Sequence, residues 1–244
     1  LGVSEVRNVF KGAYNREVAF ALAESLGLKG HAVCEIAEAR WRPESIQLSG
    51  LEALNLPFTG AGWPDATVNA YLMHLPRTTD AVLFDTGVDA GEILRVINAR
   101  ALHLRAVILT HTHRDHVGGL ASILEAHPDC LAFAPSREPY GSAQLLEHGE
   151  NVELCGLQIE ARLTNGHSRG GMSYTVNGLE RPVAIVGDAI FAGSIGGAKS
   201  DYATALQAIR TQLLSLPENT ILCPGHGPMT TVSEELQHNP FFAG

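Results

Sequence analysis

Residues 104–119 read "LRAVILTHTHRDHVGG". The opening run is apolar and too short for a helix, so it predicts a buried strand over 105–111. Three imidazoles and a carboxylate then crowd into six positions, as His111, His113, Asp115 and His116. A helix is expected next, over 116–127, beginning across Gly118 and Gly119. A buried strand that ends in a loop dense with ligand-type side chains puts chemistry at a strand terminus. The rest of the chain has to supply the partners.

Working outward, "TVNAYLMHLP" (67–76) and "AVLFDTG" (81–87) are rich in β formers and end in turn residues, as neighbouring strands do. "GEILRVINAR" (91–100) has helical spacing, and "LAFAP" (131–135) reads as a strand. "NVELCGLQIEARLT" (151–164) predicts two strands about a tight glycine turn. "MSYTV" (172–176), "RPVAIVGD" (181–188) and "TILCPGHG" (220–227) continue the β pattern, and "YATALQAIRTQLLSL" (202–216) is an amphipathic helix ended by Pro217. The strands fall into two groups, each mixed with helices. That favours two face-to-face sheets with helices outside over a strictly alternating doubly wound sheet. Near the N-terminus, "NREVAFALAESLGLKG" (15–30) predicts one helix with Val18, Leu22 and Leu26 on a shared face and Gly27 at its C-cap. Residues 1–43 carry no clustered ligand types and read as a partly helical extension, with a catalytic domain over 44–244. Their role is open between covering a sheet edge, narrowing the pocket and making a homodimer contact.

Composition narrows the partners. The chain has 244 residues, 45% hydrophobic, with 26 acids against 17 bases and a formal charge of −9. No basic patch is present to follow a phosphate backbone, which argues against nucleic acid and for a small-molecule substrate. No apolar stretch of about 18 residues could span a bilayer. Cys34, Cys130, Cys155 and Cys223 form no CxxC pair, and each lies in or beside an apolar segment, as buried thiols of a reducing compartment do. "LGVSEVRNVF" lacks the basic start and apolar centre of a signal peptide, so a cytoplasmic protein is expected.

Of the eleven histidines, five sit where a strand has ended or a glycine loop begins: His111, His113, His116, His167 in "TNGHSRG" and His226 in "PGHGP". Asp115 and Asp188 ("VGDAIF") share that setting. The histidines at 31, 74, 103, 127, 148 and 238 show no clustering and read as surface or satisfied core residues. For the cluster that bland reading fails on electrostatics. Charged imidazoles packed together repel, and buried neutral ones still need partners. A divalent cation resolves the conflict, because neutral imidazole and carboxylate both donate lone pairs to it. Seven ligands exceed what one four-coordinate ion uses, and two ions sharing a bridging oxygen would employ them all.

This order, His-x-His-x-Asp-His, then Gly-His, Gly-Asp and Pro-Gly-His-Gly, resembles the metallo-beta-lactamase superfamily and, within it, the hydroxyacylglutathione hydrolase (glyoxalase II) branch. The similarity runs over about residues 46–242, including "GDAIFAGSIGG". It implies a four-layer alpha-beta-beta-alpha sandwich. It also implies that His111, His113 and His167 hold one metal, that Asp115, His116 and His226 hold a second, and that Asp188 bridges them. Zinc is the usual metal, with iron and manganese also found in this branch.

Two such ions lower the pKa of a shared water, and the hydroxide so formed would attack a thioester, or an ester or lactone, with Asp115 and Asp188 as the catalytic carboxylates. Ser168 reads as a turn residue, since no Gly-x-Ser-x-Gly elbow is present. Substrate recognition is where the chain departs from the branch. The loop "GSIGGAKSDY" lacks the usual Arg-Thr-Asp, leaving Lys199, Tyr202 and Arg169 as candidate substrate-binding residues. Full-length enzymes of the branch carry a C-terminal helical domain that grips glutathione, and these residues do not include it. The rival expectations are a persulfide dioxygenase with a single iron, whose loop normally keeps the missing arginine, and a lactonase with the same two-metal ligand set.

Overall fold

The computed structural model describes residues 1–58, 65–198 and 201–243. Among them are two six-stranded sheets. The first runs β1 (Leu51–Pro57), β2 (Thr67–Met73), β3 (Asp80–Phe84), β4 (His103–Ile108), β5 (Leu131–Pro135) and β6 (Gln144–Leu146) in spatial order. The second contains β7 (Asn151–Leu154), β8 (Leu157–Leu163), β9 (Met172–Asn177), β10 (Val183–Gly187), β13 (Ile221–Pro224) and β14 (Thr230–Thr231). Its spatial order is β14-β13-β10-β9-β8-β7. A small hairpin, β11 (Ile190–Phe191) and β12 (Ser194–Ile195), follows β10.

Period-two patterning assigns each strand's side chains to two cores. In β3, Val82 and Phe84 point between the sheets, where they meet Tyr174, Val176 and Ile185 of the second sheet. Ala81 and Leu83 point outward against α4 (Gly91–Ala99) and α6 (Leu120–Ala126), contacting a cluster with Ile93, Ile97 and Ile123. In β10, Val183 and Ile185 face the inter-sheet core, while Ala184 and Val186 meet Ile209 and Leu213 of the α7 face and Val232 of α8 (α7 Tyr202–Gln212, α8 Val232–His238). Strands buried on both faces read as continuous apolar runs, as at 106–109, although the strand expected over 105–111 is His103–Ile108 with Arg105 exposed. The result is the four-layer alpha-beta-beta-alpha sandwich.

Several boundaries differ from the sequence reading. The helix expected over 116–127 is two pieces, α5 (Arg114–Val117) and α6, broken at Gly118 and Gly119. A Cβ on Gly118 would come within 2.5 Å of Val88 O, and one on Gly119 within 2.5 Å of Thr86 O, so the glycines let this segment lie directly on the loop after β3. The helix expected over 15–30 ends at Ser25 as α2 (Arg16–Ser25). Gly27 does take positive φ, at 75°, but Leu26 is exposed rather than core. Two further helices flank it, α1 (Val3–Phe10) and α3 (Gly30–Ala37). The helix expected to reach 216 stops at Gln212. The 151–164 turn is as expected: Cys155 and Gly156, with φ of 55° and 78°, join β7 to β8. All four cysteines are free thiols. No helix among the described residues is long and apolar enough to cross a membrane.

Candidate metal centre

The loops that follow β3, β4, β8, β10 and β13 leave the same edge of the sandwich, because β3 and β4 are parallel, as are β10 and β13, and β8 is antiparallel to β9, which is antiparallel to β10. Each sheet holds the other's loop. From β2, Tyr71 OH donates to Pro224 O at 2.7 Å, and Asn69 Nδ2 donates to Pro224 O at 2.9 Å and Gly227 O at 2.8 Å. From β9, Tyr174 OH donates to Leu109 O at 2.8 Å and Met172 N to Thr110 O at 2.8 Å.

Three groups of ligand atoms converge there: His111, His113 and His167; His111, His116 and Asp188; and Asp115, His116 and His226. All seven ligand candidates from the sequence therefore meet at one place. His113 Nδ1 lies 3.0 Å from His111 Nε2 and 3.0 Å from His167 Nε2. One ring nitrogen has a single proton or a single lone pair, so it cannot satisfy both neighbours. A tetrahedral ion with zinc–nitrogen bonds near 2.0–2.1 Å separates its donors by about 3.3 Å, close to this spacing. Asp188 Oδ2 is 3.4 Å from both His167 Nε2 and His226 Nε2, and its Oδ1 is 3.4 Å from His116 Nε2. His226 Nε2 is also 3.3 Å from Asp115 Oδ2. His116 Nε2 and Asp188 Oδ1 are buried without a hydrogen-bond partner, aimed at the interior of the cluster. The donor set fits divalent metal.

Electrostatics separate the two sides. Burial, then the neighbouring His116, pushes His111 well below the usual imidazole range, and burial likewise lowers His167, so both are neutral lone-pair donors. Burial would also lower His116 and His226. Asp85 and Asp188 outweigh it at His116, and Asp115 and Asp188 at His226, bringing each to about 10. Burial would raise Asp188, yet the imidazoles of His116 and His226, each 3.4 Å away, hold it well below the carboxylate range. The Asp115–Asp188 side therefore demands positive charge.

Asp85 is a residue the sequence reading passed over. It is 2% exposed, adopts φ of 58° at the end of β3, and accepts from Thr110 N at 2.8 Å and Thr110 Oγ1 at 2.8 Å. Thr110 Oγ1 in turn lies 3.0 Å from His111 Nδ1. His226 Nδ1 is 2.6 Å from Thr67 O. These contacts turn the opposite nitrogens of His111, His116 and His226 toward the cluster. Glu138 was also missed. It accepts from Thr112 N at 3.0 Å, Thr112 Oγ1 at 3.1 Å and Gly170 N at 2.6 Å, joining the His113 loop to the His167 loop. The signal for Asp85 was the "DTG" after an apolar strand; Glu138 had none.

The expected substrate-binding residues are scattered. Tyr202 opens α7 and its ring faces Phe241, with centroids 6.4 Å apart, rather than an imidazole of the cluster. Arg169 is exposed on the His167 loop. Lys199 lies outside the described residues.

An αββα sandwich with imidazoles and carboxylates converging from five loops at one edge defines a metal-binding protein of the hydrolase kind. The chain belongs to the metallo-beta-lactamase superfamily, whose family model matches residues 63–226. It is 31% identical over 193 residues to hydroxyacylglutathione hydrolase GloC of Haemophilus influenzae, covering 66% of this chain and 87% of that one. It is 29% identical over 204 residues to probable metallo-hydrolase YqgX of Bacillus subtilis, covering 74% and 96%. Among solved structures it resembles the B3 metallo-beta-lactamase BLEG-1 (TM-score 0.69, 26% identity, 80% and 100% coverage). It also resembles TTHA1623 in a di-iron-bound form (TM-score 0.62, 26% identity, 78% and 100% coverage).

Proposed function

We propose that the chain is a dinuclear metal-dependent hydrolase of thioesters, with esters or lactones as secondary substrates. The observation that carries this reading is the pair of donor triads, His111/His113/His167 and Asp115/His116/His226, with Asp188 reaching both. The similarity to GloC supports the thioester, and the likeness to a di-iron protein supports two ions. Zinc is the metal proposed first, with iron or manganese next.

Divalent cations held by these residues would supply Lewis acidity toward a carbonyl and toward water near neutral pH. The chain's own residues prepare for that chemistry. Asp85 and Thr67 O fix the imidazole tautomers, and Asp188 and Asp115 supply the negative charge that retains cations. His113, Asp115, His167 and His226 leave one side of the cluster accessible, while His111 and His116 close the other. No protein nucleophile is needed, and Ser168 Oγ is buried.

The test is metal analysis of the purified protein with a panel of thioesters, lactones and glutathione persulfide. Two metal equivalents with thioester turnover support the reading. One iron with oxygen consumption overturns it in favour of a dioxygenase.

A further inference from the structure

Resting on the thioester reading, we propose that the mouth of the cluster has two unlike rims that orient an amphiphilic thioester. An apolar acyl group lies over Phe58 and Phe191, and an anionic thiol carrier lies over Arg114, Arg137 and Arg169.

The aromatic rim stands at His226. The Phe58 and Phe191 ring centroids lie 6.3 Å and 5.9 Å from that imidazole, and both rings are partly exposed. They arrive from opposite halves of the sandwich: Phe58 follows β1 and packs on the outer core of the first sheet, whereas Phe191 sits in the β11–β12 hairpin. That hairpin is held from behind. Gly193 N donates to buried Glu235 at 3.0 Å, and a Cβ on Gly193 would meet Ile36 Cδ1 and Trp41 Cζ3 at 2.8 Å each. The N-terminal segment, which precedes the matched 63–226, thereby fixes the wall that carries Phe191. A braced, half-open apolar wall beside a metal ligand favours an apolar group laid against it.

The loops that carry His113 and His167 are basic. Arg114 follows His113, Arg169 precedes Gly170, and the Arg137 Cβ is 2.5 Å from where a Gly170 Cβ would stand. Glu138 binds Thr112 and Gly170 together, so three loops bring these arginines to one side of the cluster, while its own charge is taken up by those donors. All three arginines are exposed, and none pairs with a carboxylate among the described residues. By contrast, Arg95, Arg100, Arg105 and Arg162 each sit on one. In a chain of net charge −9, unpaired guanidinium groups beside the site are where an anion is retained.

The test crosses two series on the metal-loaded protein. Acetyl and octanoyl thioesters are made on a neutral thiol (N-acetylcysteamine), a carboxylated one (N-acetylcysteine) and a phosphorylated one (phosphopantetheine). Binding of the matching unreactive thioethers is measured alongside. The wild-type protein is expected to prefer an anionic carrier and the octanoyl group, with the carboxylate and phosphate arms showing which anion is read. Replacing the three arginines by alanine should lower the charged-to-neutral kcat/KM ratio roughly tenfold, as should high salt. Phe191→Ala should lower the octanoyl-to-acetyl ratio roughly tenfold, with Phe191→Leu intermediate. Ratios that stay unchanged in the variants, in turnover and in thioether binding, overturn the proposal. Absence of turnover with every thioester overturns the hydrolase reading instead, and the thioether ratios still decide the rims.

Discussion

Asp85 Oδ2 accepts a hydrogen bond from His116 Nδ1 at 2.8 Å, and the same carboxylate holds Thr110, the residue that precedes His111. One buried side chain thus orients ligands on both sides of the cluster. Removing the outer partner of a ligating imidazole commonly costs 10–100-fold in metal affinity. Asp85→Ala should weaken binding of at least one equivalent by roughly that factor, read by competition with a chromophoric chelator. Wild-type affinity in that variant would show that the tautomers are fixed elsewhere.

Asp188 belongs to neither triad but reaches both, with Oδ2 3.4 Å from His167 Nε2 and from His226 Nε2. Asp188→Ala should bind one metal equivalent fewer and lose most turnover, on the order of 100-fold or more. Metal counting by mass spectrometry under native conditions, beside the rate, checks both. Two retained equivalents would refute the bridging position.

Gly225 lets the His226 loop pass over the cluster. A Cβ there would stand 2.2 Å from Asp188 Oδ1 and 2.6 Å from His116 Cε1. His116 cannot retreat, because it is buried and held by Asp85. Gly225→Ala should therefore weaken metal binding at Asp115, His116 and His226 far more than it lowers thermal stability in chelator. An equal loss in both would mean that the loop is a folding element first.

The layers were legible because strands buried on both faces leave unbroken apolar runs, as at 106–109 and 183–187. The cluster was legible because seven side chains able to hold metal, five imidazoles and two carboxylates, stood at strand ends. The short edge strands β6 and β14 were not, since three or two residues give no period to read. Gly118 and Gly119 looked like helix residues because their role is a tertiary close approach to Val88 and Thr86. Glu138 was invisible for the same reason: its partners, Thr112 and Gly170, lie 26 and 32 residues away.

Glu235 links stability to pH. It is 0% exposed and accepts from Thr230 Oγ1 at 2.8 Å, Gly193 N at 3.0 Å and Asn239 Nδ2 at 2.7 Å. Burial outweighs these donors and pushes the carboxyl from 4.5 up to about 7. A folded-state pKa above the unfolded one means the folded chain keeps its proton longer. The stabilisation is complete below about 4.5 and is lost as pH rises through about 7. Relative to Glu235→Gln, whose amide does not titrate, wild-type stability should fall by roughly 3 kcal/mol across that window. Urea unfolding of both proteins at pH 5, 6, 7 and 8 in one metal buffer measures the difference. Parallel curves would mean that Glu235 ionises in the fold as readily as in the unfolded chain, and that its three donors, rather than its burial, set its charge.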